Sequence, residues 1–474
     1  MTATMFFYDL ETSGLNPRDD RVMQFAGQRT TMELEPIGEP INLLVTLADD
    51  TLPSPGALMV TGITPQKTVE EGYSEADFCR MFSEEIATPD TTIVGYNNIR
   101  FDDEFLRAVL WRNFRDPYRW SYADGRSRWD LLDVVRMTRA LRPDGIEWPV
   151  VDGKATNRLE LLTQANGIDH ADAHDALSDV TALIDVARLI RGHQPQLYAY
   201  LYDLRDKKAV QALVGLDEPK PVVYSSGRYE QRFEKTTVVL PIANAPHSNV
   251  YVYDLRHDPS PWLEMNDEQL HAHIKIPYAE RDDTYQSLPI KKLQYNRCPA
   301  VAPLGVLEHN DAWQRIGLDY ETVSRHQQLV ATHVERLAQI ARLLDEANTL
   351  PGTANADAET RLYDGFIDGR DAVRRDAVAQ ATAEQLATMQ PAFDDERLDE
   401  LFVRYKARNF ARTLSDSERR EYETYRTARI QRQLPDFLQQ LEKLSQRRDL
   451  TSQQRYVRDE LELWAQAIMP EAVD

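Results

Sequence analysis

The sequence predicts an α/β domain at the amino terminus, followed by a β-rich domain and then a helical domain. In residues 1–195, short apolar strands alternate with amphipathic helices, which is typical of helices packed around a mixed sheet. In residues 196–350, β-branched strands separated by proline-rich turns replace this alternation. Residues 351–474 are rich in Ala, Leu, Glu, Gln and Arg, a composition that favours helices. A chain of 474 residues is long enough for these three domains.

The individual elements follow from hydrophobic periodicity and from turn residues. Apolar and β-branched runs predict strands at residues 6–8, 41–46, 92–94, 236–240 and 249–253. Apolar residues at helical spacing predict helices at residues 78–87, 105–114, 128–141, 176–191 and 321–346. Residues 350–357 contain Pro, Gly and Asn and are expected to form a linker, beyond which the chain is expected to be helical.

A predicted strand that ends in two acids is the most informative local feature. Four apolar or aromatic residues lead directly into Asp9, Leu10 and Glu11. Because side chains alternate between the faces of a strand, the two carboxylates point the same way while Leu10 points into the core. Adjacent carboxylates repel each other, and a hard divalent cation with oxygen ligands would relieve that repulsion. The alternative is a solvated strand end with two unrelated acids.

A further candidate acid follows the strand predicted at residues 92–94. The next four residues turn the chain, and a helix is expected to begin near Phe101, which places Asp102 in its first turn. Asp103 and Glu104 are rivals for the same role. The helix dipole alone also favours acids at a helix N-terminus. That alternative explains an acidic first turn but not the Asn-x-x-Phe-Asp spacing.

The third motif belongs to the helix predicted at residues 176–191. Asp179 lies on that helix, and His174 lies five residues earlier, in the loop that precedes it. From that loop the imidazole could reach a water molecule held near Asp179. A single histidine is more often structural than catalytic, and Asp172 and Asp175 are typical helix-capping residues.

Together, these three motifs resemble the DEDDh family of 3′→5′ exonucleases and, within it, the bacterial exodeoxyribonuclease I family. They occur in that family's order, on a strand, on a turn that leads into a helix, and on a helix. The same likeness is carried by residues 95–104, 128–134, 141–149, 165–168, 296–299 and 405–410. In many members of the wider superfamily a histidine precedes the motif's asparagine, whereas here the pair is Asn97-Asn98, as in exodeoxyribonuclease I.

The resemblance implies a fold and an activity for the whole chain. It implies a ribonuclease H-like exonuclease domain at residues 1–195, an SH3-like β-rich domain with helices at 196–350 and an all-α C-terminal domain at 351–474. In the family these domains enclose one DNA strand, which favours processive action. The implied activity is metal-dependent 3′→5′ hydrolysis of single-stranded DNA to 5′-mononucleotides, in DNA repair and recombination.

The resemblance also implies roles for the motif residues. Two Mg²⁺ ions, replaceable by Mn²⁺, would be bound by Asp9, Glu11, Asp102 and Asp179. The two ions would flank the scissile phosphate, one activating a water molecule and the other stabilising the leaving 3′-oxygen. His174 would accept the proton of that water as a general base.

Other positions are matched to substrate contacts. Glu11 and Thr12 would meet the terminal nucleotide, and Arg158 would contact a phosphate near the cleft, with a buried ion pair as the alternative for this arginine. Phe101 is a candidate for substrate contact, although support of Asp102 through packing is the simpler expectation.

A protein partner is implied as well. Arg142 and Tyr200 match positions that are linked in the family with docking the acidic, Phe-ended tail of single-strand-binding protein. An arginine suits a terminal carboxylate because its guanidinium can donate two parallel hydrogen bonds. A monomer is the expected state, since no heptad pattern demands an oligomer.

Of the features of this sequence, the net charge agrees least with DNA binding. The chain has 55 Lys and Arg against 77 Asp and Glu, a net charge of −22, whereas a basic footprint is expected of a nucleic-acid binder. Residues 402–432 are an exception, with nine basic and four acidic side chains interleaved with Tyr and Phe on which bases could stack. The alternative for this segment is a solvated, salt-bridged helical face.

Composition argues against membrane and disulfide-rich classes. No apolar stretch is long enough to cross a bilayer, and the chain runs into its first strand with no room for a signal peptide. Cys79 and Cys298 suit a reducing cytoplasm, which is the expected location. Two rivals stay open: an RNA-directed or proofreading DEDDh exonuclease, disfavoured by the long extension after residue 195, and a non-catalytic single-stranded DNA clamp, disfavoured because every metal-binding acid is present.

Overall fold

The computed structural model describes residues 2–170, 175–348 and 357–470. The chain forms two compact units. The first comprises Met1–Arg128, His170–Ile184 and Ala354–Asp474, and the second comprises Trp129–Asp169 and Asp185–Thr353. Because these units interleave segments from different parts of the sequence, the domain boundaries at residues 195 and 350 stay a prediction.

Within the described residues, the strands form two five-stranded sheets and one short hairpin. The strands are β1 Thr4–Thr12, β2 Val22–Thr30, β3 Ile41–Leu44, β4 Thr91–Gly95, β5 Ser127–Asp130, β6 Val150–Val151, β7 Lys154–Ala155, β8 Val222–Ser225, β9 Thr236–Ala245, β10 Asn249–Asp254, β11 Ile290–Leu293 and β12 Ala300–Pro303. The first sheet has the order β3-β2-β1-β4-β5 and the second has the order β11-β10-β9-β8-β12.

The first sheet is mixed, as an α/β domain requires. Its central strand β1 runs antiparallel to β2 and parallel to β4. Strand β2 was not predicted, because Gln24, Gly27 and Gln28 interrupt the pattern of an otherwise buried strand. The sheet accommodates these residues: the Gln24 side-chain amide donates to Asn42 Oδ1 at 2.8 Å, and a Cβ at Gly27 would lie 2.2 Å from the ring of Phe6.

The second sheet belongs to the second unit and is antiparallel throughout. The strands predicted at residues 236–240 and 249–253 are confirmed as the cores of β9 and β10. Strands β8, β11 and β12 are four residues each, which is too short for sequence alternation to identify them.

Helices occupy most of the rest of the chain. They are α1 Pro55–Thr61, α2 Pro65–Glu71, α3 Glu75–Met81, α4 Asp102–Arg112, α5 Leu131–Leu141, α6 Leu159–Ala165, α7 Ala176–His193, α8 Pro195–Asp203, α9 Lys207–Leu213, α10 Ser260–Glu264, α11 Asp267–Ile274, α12 Ala312–Arg315, α13 Tyr320–Thr332, α14 Val334–Asn348, α15 Gly369–Gln380, α16 Ala383–Thr388, α17 Glu396–Asn409, α18 Asp416–Ser445 and α19 Ser452–Ile468.

Three predicted helices differ in detail from the structure. The helix predicted at residues 128–141 begins only at Leu131, because the preceding residues form β5 and the Asp130 carboxylate caps the helix by accepting the Leu132 N–H at 3.0 Å. The helix predicted at 321–346 is interrupted at His333, between α13 and α14. The helix predicted at 78–87 changes from α3 into a π-helical turn after Met81. Residues 350–356 of the predicted linker lie outside the described residues.

Apolar packing joins the C-terminal helices to the first sheet's helices in one unit. One buried cluster surrounds β1 and contains Phe6, Leu10 and Phe105. Another joins Trp111 and Phe114 at the end of α4 to α17. Burial of this kind, rather than helix propensity, supplies most of the stability of such helices. None of the described helices has the length and apolar character to cross a membrane.

Candidate active site

Strand β1 presents the first two acids on one face. Asp9 and Glu11 are both half-buried, whereas Leu10 between them is 5% exposed and packs in the core. Asp9 lies opposite Ala26 of β2, and Glu11 lies opposite Gln24. The predicted alternation along this strand is confirmed.

The turn after β4 delivers Asp102. A Cβ at Gly95 would lie 2.5 Å from the Cβ of Asn98, so the turn closes this tightly only with glycine. Phe101 is half-buried, and its ring packs 5.0 Å from the ring of Phe105. Asp102 is the first residue of α4 and is buried. The packing of Phe101 therefore supports Asp102, in line with the simpler expectation for this residue.

The two rival acids have structural partners. Asp103 accepts hydrogen bonds from the Tyr8 hydroxyl at 2.8 Å and from Arg128 Nη1 at 2.5 Å. Glu104 accepts from Arg107 Nη1 at 3.0 Å and from the hydroxyl of Tyr363. Asp102 is the acid of this turn whose charge raises the pKa of both Asp9 and Glu11.

Helix α7 carries the fourth acid. Asp179 lies in the first turn of α7, and the Asp175 carboxylate accepts the Ser178 N–H at 3.1 Å, which confirms Asp175 as a capping residue. His174 and Asp172 lie outside the described residues. A different histidine, His170, places its Nε2 atom 2.5 Å from Asp179 Oδ1. The sequence analysis missed this contact, although a second histidine in the same segment was a signal for it.

The acids form one electrostatic cluster. Asp9, Glu11 and Asp179 each place a carboxylate oxygen within 4.8 Å of the others. Burial raises the pKa of Glu11 to about 8, and the carboxylates of Asp179 and Asp102 add to that shift. Burial raises the pKa of Asp9 well above its usual range, and Asp102 contributes next. Asp102 therefore acts on the cluster, although it is not part of the three-oxygen group.

This donor set fits a hard divalent cation. The ligands are all carboxylate oxygens, and repulsion between them adds to the effect of burial in raising the pKa of Asp9 and of Glu11. A second acidic group in the described residues, Asp368, Asp371 and Asp394, differs in this respect. There Arg374 Nη1 lies 2.7 Å from Asp371 and 3.0 Å from Asp394, so the protein supplies the positive charge.

The structure shows the surroundings of the residues that are predicted to contact the substrate. Thr12 is 6% exposed and donates its hydroxyl proton to the carbonyl of Gly14 at 2.7 Å. Arg158 is exposed at the start of α6, so the alternative of a buried ion pair for this residue is wrong. Contact of Thr12, Phe101 and Arg158 with a nucleotide stays a prediction.

The two predicted partner-binding residues lie in the second unit and bond to the same segment. Arg142 Nη1 donates to the Val306 carbonyl at 3.2 Å, and the Tyr200 hydroxyl donates to the Val301 carbonyl at 3.2 Å. Burial lowers the pKa of Arg142, and the neighbouring guanidinium of Arg315 lowers it further. Two close guanidinium groups favour an anionic ligand, and Arg315 is a residue that the sequence analysis missed.

The basic segment at residues 402–432 is mostly a salt-bridged interior face. Lys406 Nζ lies 2.7 Å from Glu418, and Arg408 Nη2 lies 2.5 Å from Asp50. Arg404 and Arg429 are buried too. The exposed basic side chains of this segment are Arg412, Arg419, Arg420 and Arg432. The salt bridges of the alternative interpretation are thus confirmed, but its solvated face is wrong for Arg404, Lys406 and Arg429, which are buried.

Comparison with protein families covers nearly the entire chain. Residues 6–187 match the family described as Exonuclease. Residues 205–346 match the Exonuclease I SH3-like domain, and residues 356–468 match the Exonuclease I C-terminal domain.

Related proteins and solved structures agree with these family matches. The exodeoxyribonuclease I of Escherichia coli strain K12 is 38% identical over 442 residues, which cover 92% of this chain and 91% of that protein. The crystal structure of E. coli exonuclease I with a dA16 oligonucleotide matches with a TM-score of 0.93 and 35% identity, covering 99% of this chain and 100% of that one. The zinc-bound form of an E. coli exonuclease I complex with single-stranded DNA matches with a TM-score of 0.92, 35% identity and the same coverage.

Proposed function

The chain belongs to the exodeoxyribonuclease I family and is a 3′→5′ exodeoxyribonuclease, and on that premise we propose its substrate, products and cofactor. The proposed substrate is single-stranded DNA, which is hydrolysed processively from its 3′ end to 5′-mononucleotides in DNA repair and recombination. The similar E. coli structures contain an oligonucleotide or single-stranded DNA, which supports this substrate class.

The convergence of acids from β1, α4 and α7 carries the proposal. Asp9, Glu11 and Asp179 meet within 4.8 Å, and Asp102 raises the pKa of Asp9 and Glu11. A site of carboxylate oxygens that raise one another's pKa is suited to Mg²⁺, with Mn²⁺ as a substitute. We assign all four acids as ligands for two such ions.

The protein's own contribution is to position groups around the scissile phosphate. When bound, divalent cations supply positive charge to the phosphate and lower the pKa of an attacking water molecule. Asp9 and Glu11 are fixed by the central strand of a sheet, so their separation is set by the backbone. His170 orients Asp179 through its 2.5 Å contact. His174, by the family likeness, accepts the proton of the attacking water.

The remaining assignments follow from the same likeness. Thr12 and Phe101 border the acids in sequence and would meet the terminal nucleotide, and Arg158 is exposed and available to a phosphate. Arg142, Tyr200 and the adjacent Arg315 form the proposed site for the carboxylate-ended tail of single-strand-binding protein. We also propose three domains at residues 1–195, 196–350 and 351–474, a monomeric state and a cytoplasmic location.

The test is digestion of a 5′-labelled single-stranded DNA oligonucleotide with Mg²⁺. A matching duplex, a matching RNA and the Asp179→Asn variant are run alongside. We expect shortening of the single-stranded DNA from its 3′ end, release of 5′-mononucleotides, and loss of both with EDTA or with the variant. Preferred digestion of RNA would move the chain to the RNA-directed relatives. Binding of intact DNA by the unaltered protein would instead indicate a clamp.

A further inference from the structure

Asp103, next to the candidate ligand Asp102, receives hydrogen bonds from three different elements. The Tyr8 hydroxyl on β1 donates to its Oδ1 at 2.8 Å, and Asn98 Nδ2 in the turn after β4 donates to the same oxygen at 3.2 Å. Arg128 Nη1 on β5 donates to Oδ2 at 2.5 Å. One carboxylate thus links strands β1 and β5 and the turn after β4 to the start of α4.

This group of four side chains is closed to solvent. Asp103 and Asn98 are 0% exposed, Tyr8 is 1% exposed and Arg128 is 5% exposed. A buried carboxylate with a charged partner and two further donors is held in one orientation, because losing any donor leaves a polar group unsatisfied.

The sequence positions of these residues connect them to the candidate metal site. Tyr8 precedes Asp9 on β1, and Asp103 follows Asp102 on α4. The side chains of neighbouring residues on a strand point to opposite faces of the sheet. Tyr8 therefore lies on the face opposite to the one that bears Asp9. The hydrogen bond between Tyr8 and Asp103 therefore ties together the backbone segments that carry two of the four acids.

The start of α4 has no side-chain cap. Its N-cap residue Phe101 provides no side-chain cap hydrogen bond and has φ −126° and ψ −77°. A helix without a side-chain cap leaves its first turn less firmly held. Asp103, in that first turn, is fixed to two strands by Tyr8 and Arg128.

We propose that Asp103 is a positioning residue that sets the spacing of Asp9 and Asp102, through Tyr8 and Arg128, so that the two carboxylates can share a divalent cation. The proposal rests on the proposed function, since it concerns the same site. Removal of a side chain that orients metal ligands commonly lowers metal affinity or activity by about 10–100-fold.

The test compares two variants with two matched controls. Tyr8→Phe removes one donor and leaves the buried ion pair of Asp103 with Arg128, and Asp103→Asn removes the charge of the pair. Tyr251→Phe is the control for the first, because the Tyr251 hydroxyl donates to Asp345 Oδ2 at 2.9 Å in the second unit. Glu75→Gln is the control for the second, because Glu75 forms a buried pair with Arg112, 2.5 Å away at the other end of α4.

Three readouts are measured for each protein: Mn²⁺ binding by electron paramagnetic resonance, the Mg²⁺ dependence of kcat, and KM for single-stranded DNA. We expect Tyr8→Phe and Asp103→Asn to weaken Mn²⁺ binding and raise the half-saturating Mg²⁺ concentration by about tenfold or more, with KM changed by less than about twofold. The two controls should leave Mn²⁺ binding and the Mg²⁺ dependence within about twofold of the unaltered protein.

Unaltered Mn²⁺ binding in Tyr8→Phe would overturn the proposal, as would an equal loss in the matched controls. If Asp103→Asn does not fold, Tyr8→Phe still decides the question. Failure of the proposed function is a separate outcome. In that case the unaltered protein binds Mn²⁺ but does not shorten DNA, and the Mn²⁺ comparison still tests Asp103.

Discussion

The guanidinium group of Arg408 on α17 lies 2.5 Å from Asp50 Oδ2, and the two side chains are 3% and 0% exposed. The same nitrogen lies 2.6 Å from Glu359, which also pairs with Arg21 at 2.8 Å. These arginines hold the pKa values of Asp50 and Glu359 below their usual range, despite the opposing effect of burial. A buried ion network therefore joins a helix of the C-terminal part to the segment that follows β3.

Loss of Asp50 is expected to destabilise the first unit. Asp50→Asn leaves Arg408 with one fewer negative partner in a buried site, and breaking such a pair costs about 3–5 kcal/mol. Urea unfolding should show this loss. Asp449→Asn is the control, because Asp449 is 71% exposed beside Arg447, and solvent screens the attraction of an exposed pair. Equal stability of the two variants would contradict the prediction.

Neutralising one acid of the cluster is expected to stop hydrolysis without stopping DNA binding. Asp9→Asn keeps the size of the side chain but removes a negative charge from the cation-binding group. Loss of about 4 kcal/mol of transition-state stabilisation corresponds to roughly a thousandfold lower kcat. Single-turnover digestion and fluorescence anisotropy with labelled DNA measure the two properties. A variant with more than about a tenth of the original kcat would rule out Asp9 as an essential ligand.

The metal requirement should depend on pH. The pKa of Glu11 in the fold is about 8, above its ordinary value of 4.5, so folding favours the protonated form. The contribution of Glu11 to stability is therefore complete below pH 4.5 and is lost as the pH rises through 8. A divalent cation needs the charged carboxylate and must displace this proton below pH 8.

We therefore expect the half-saturating Mg²⁺ concentration to fall as the pH rises from about 6 to about 9. The rise in thermal midpoint caused by Mg²⁺ should grow over the same range. Differential scanning fluorimetry with a Mg²⁺ titration at each pH measures both effects. In Glu11→Gln the dependence should be shallower, because one titrating ligand is absent. A Mg²⁺ requirement that is constant with pH would refute the shifted pKa.

Arg142 is expected to bind a carboxylate-ended peptide. Arg142→Ala should weaken the binding of an acidic peptide that ends in Phe by about tenfold, because a charge-assisted hydrogen bond contributes about 1.5–3 kcal/mol. Isothermal titration calorimetry measures this, with a C-terminally amidated peptide to test the carboxylate itself. Arg232→Ala is the control, because Arg232 is 72% exposed and paired with Glu230. Equal affinity for the free and amidated peptides would place recognition elsewhere.

Arg158 is expected to act on substrate affinity. Because its side chain is exposed, Arg158→Ala should leave stability within about 0.5 kcal/mol. Loss of a phosphate contact should raise KM for single-stranded DNA several-fold and reduce its salt dependence. Steady-state digestion at two salt concentrations measures this. The matched variant Arg188→Ala, whose arginine pairs with Asp185 on α7, should change neither value.

The sequence was sufficient for the parts of the site that depend on local geometry. A period of two along β1 placed Asp9 and Glu11 on one face, and the glycine turn placed Asp102 at the start of a helix. These arrangements need only backbone dihedral preferences and the spacing of neighbouring residues. Strand β2 was missed because its polar residues form hydrogen bonds with residues outside the strand, as Gln24 does with Asn42.

By itself, then, the sequence determined the fold class, the family and the acids of the site, because each depends on local periodicity and on motifs of a few residues. Only the tertiary structure decided which charged groups pair with each other. It assigned Asp103 to Tyr8 and Arg128, brought His170 to Asp179 and buried Arg408 against Asp50. Residues that are far apart in the sequence pair according to their burial and their distance in the fold. A linear sequence pattern contains neither quantity.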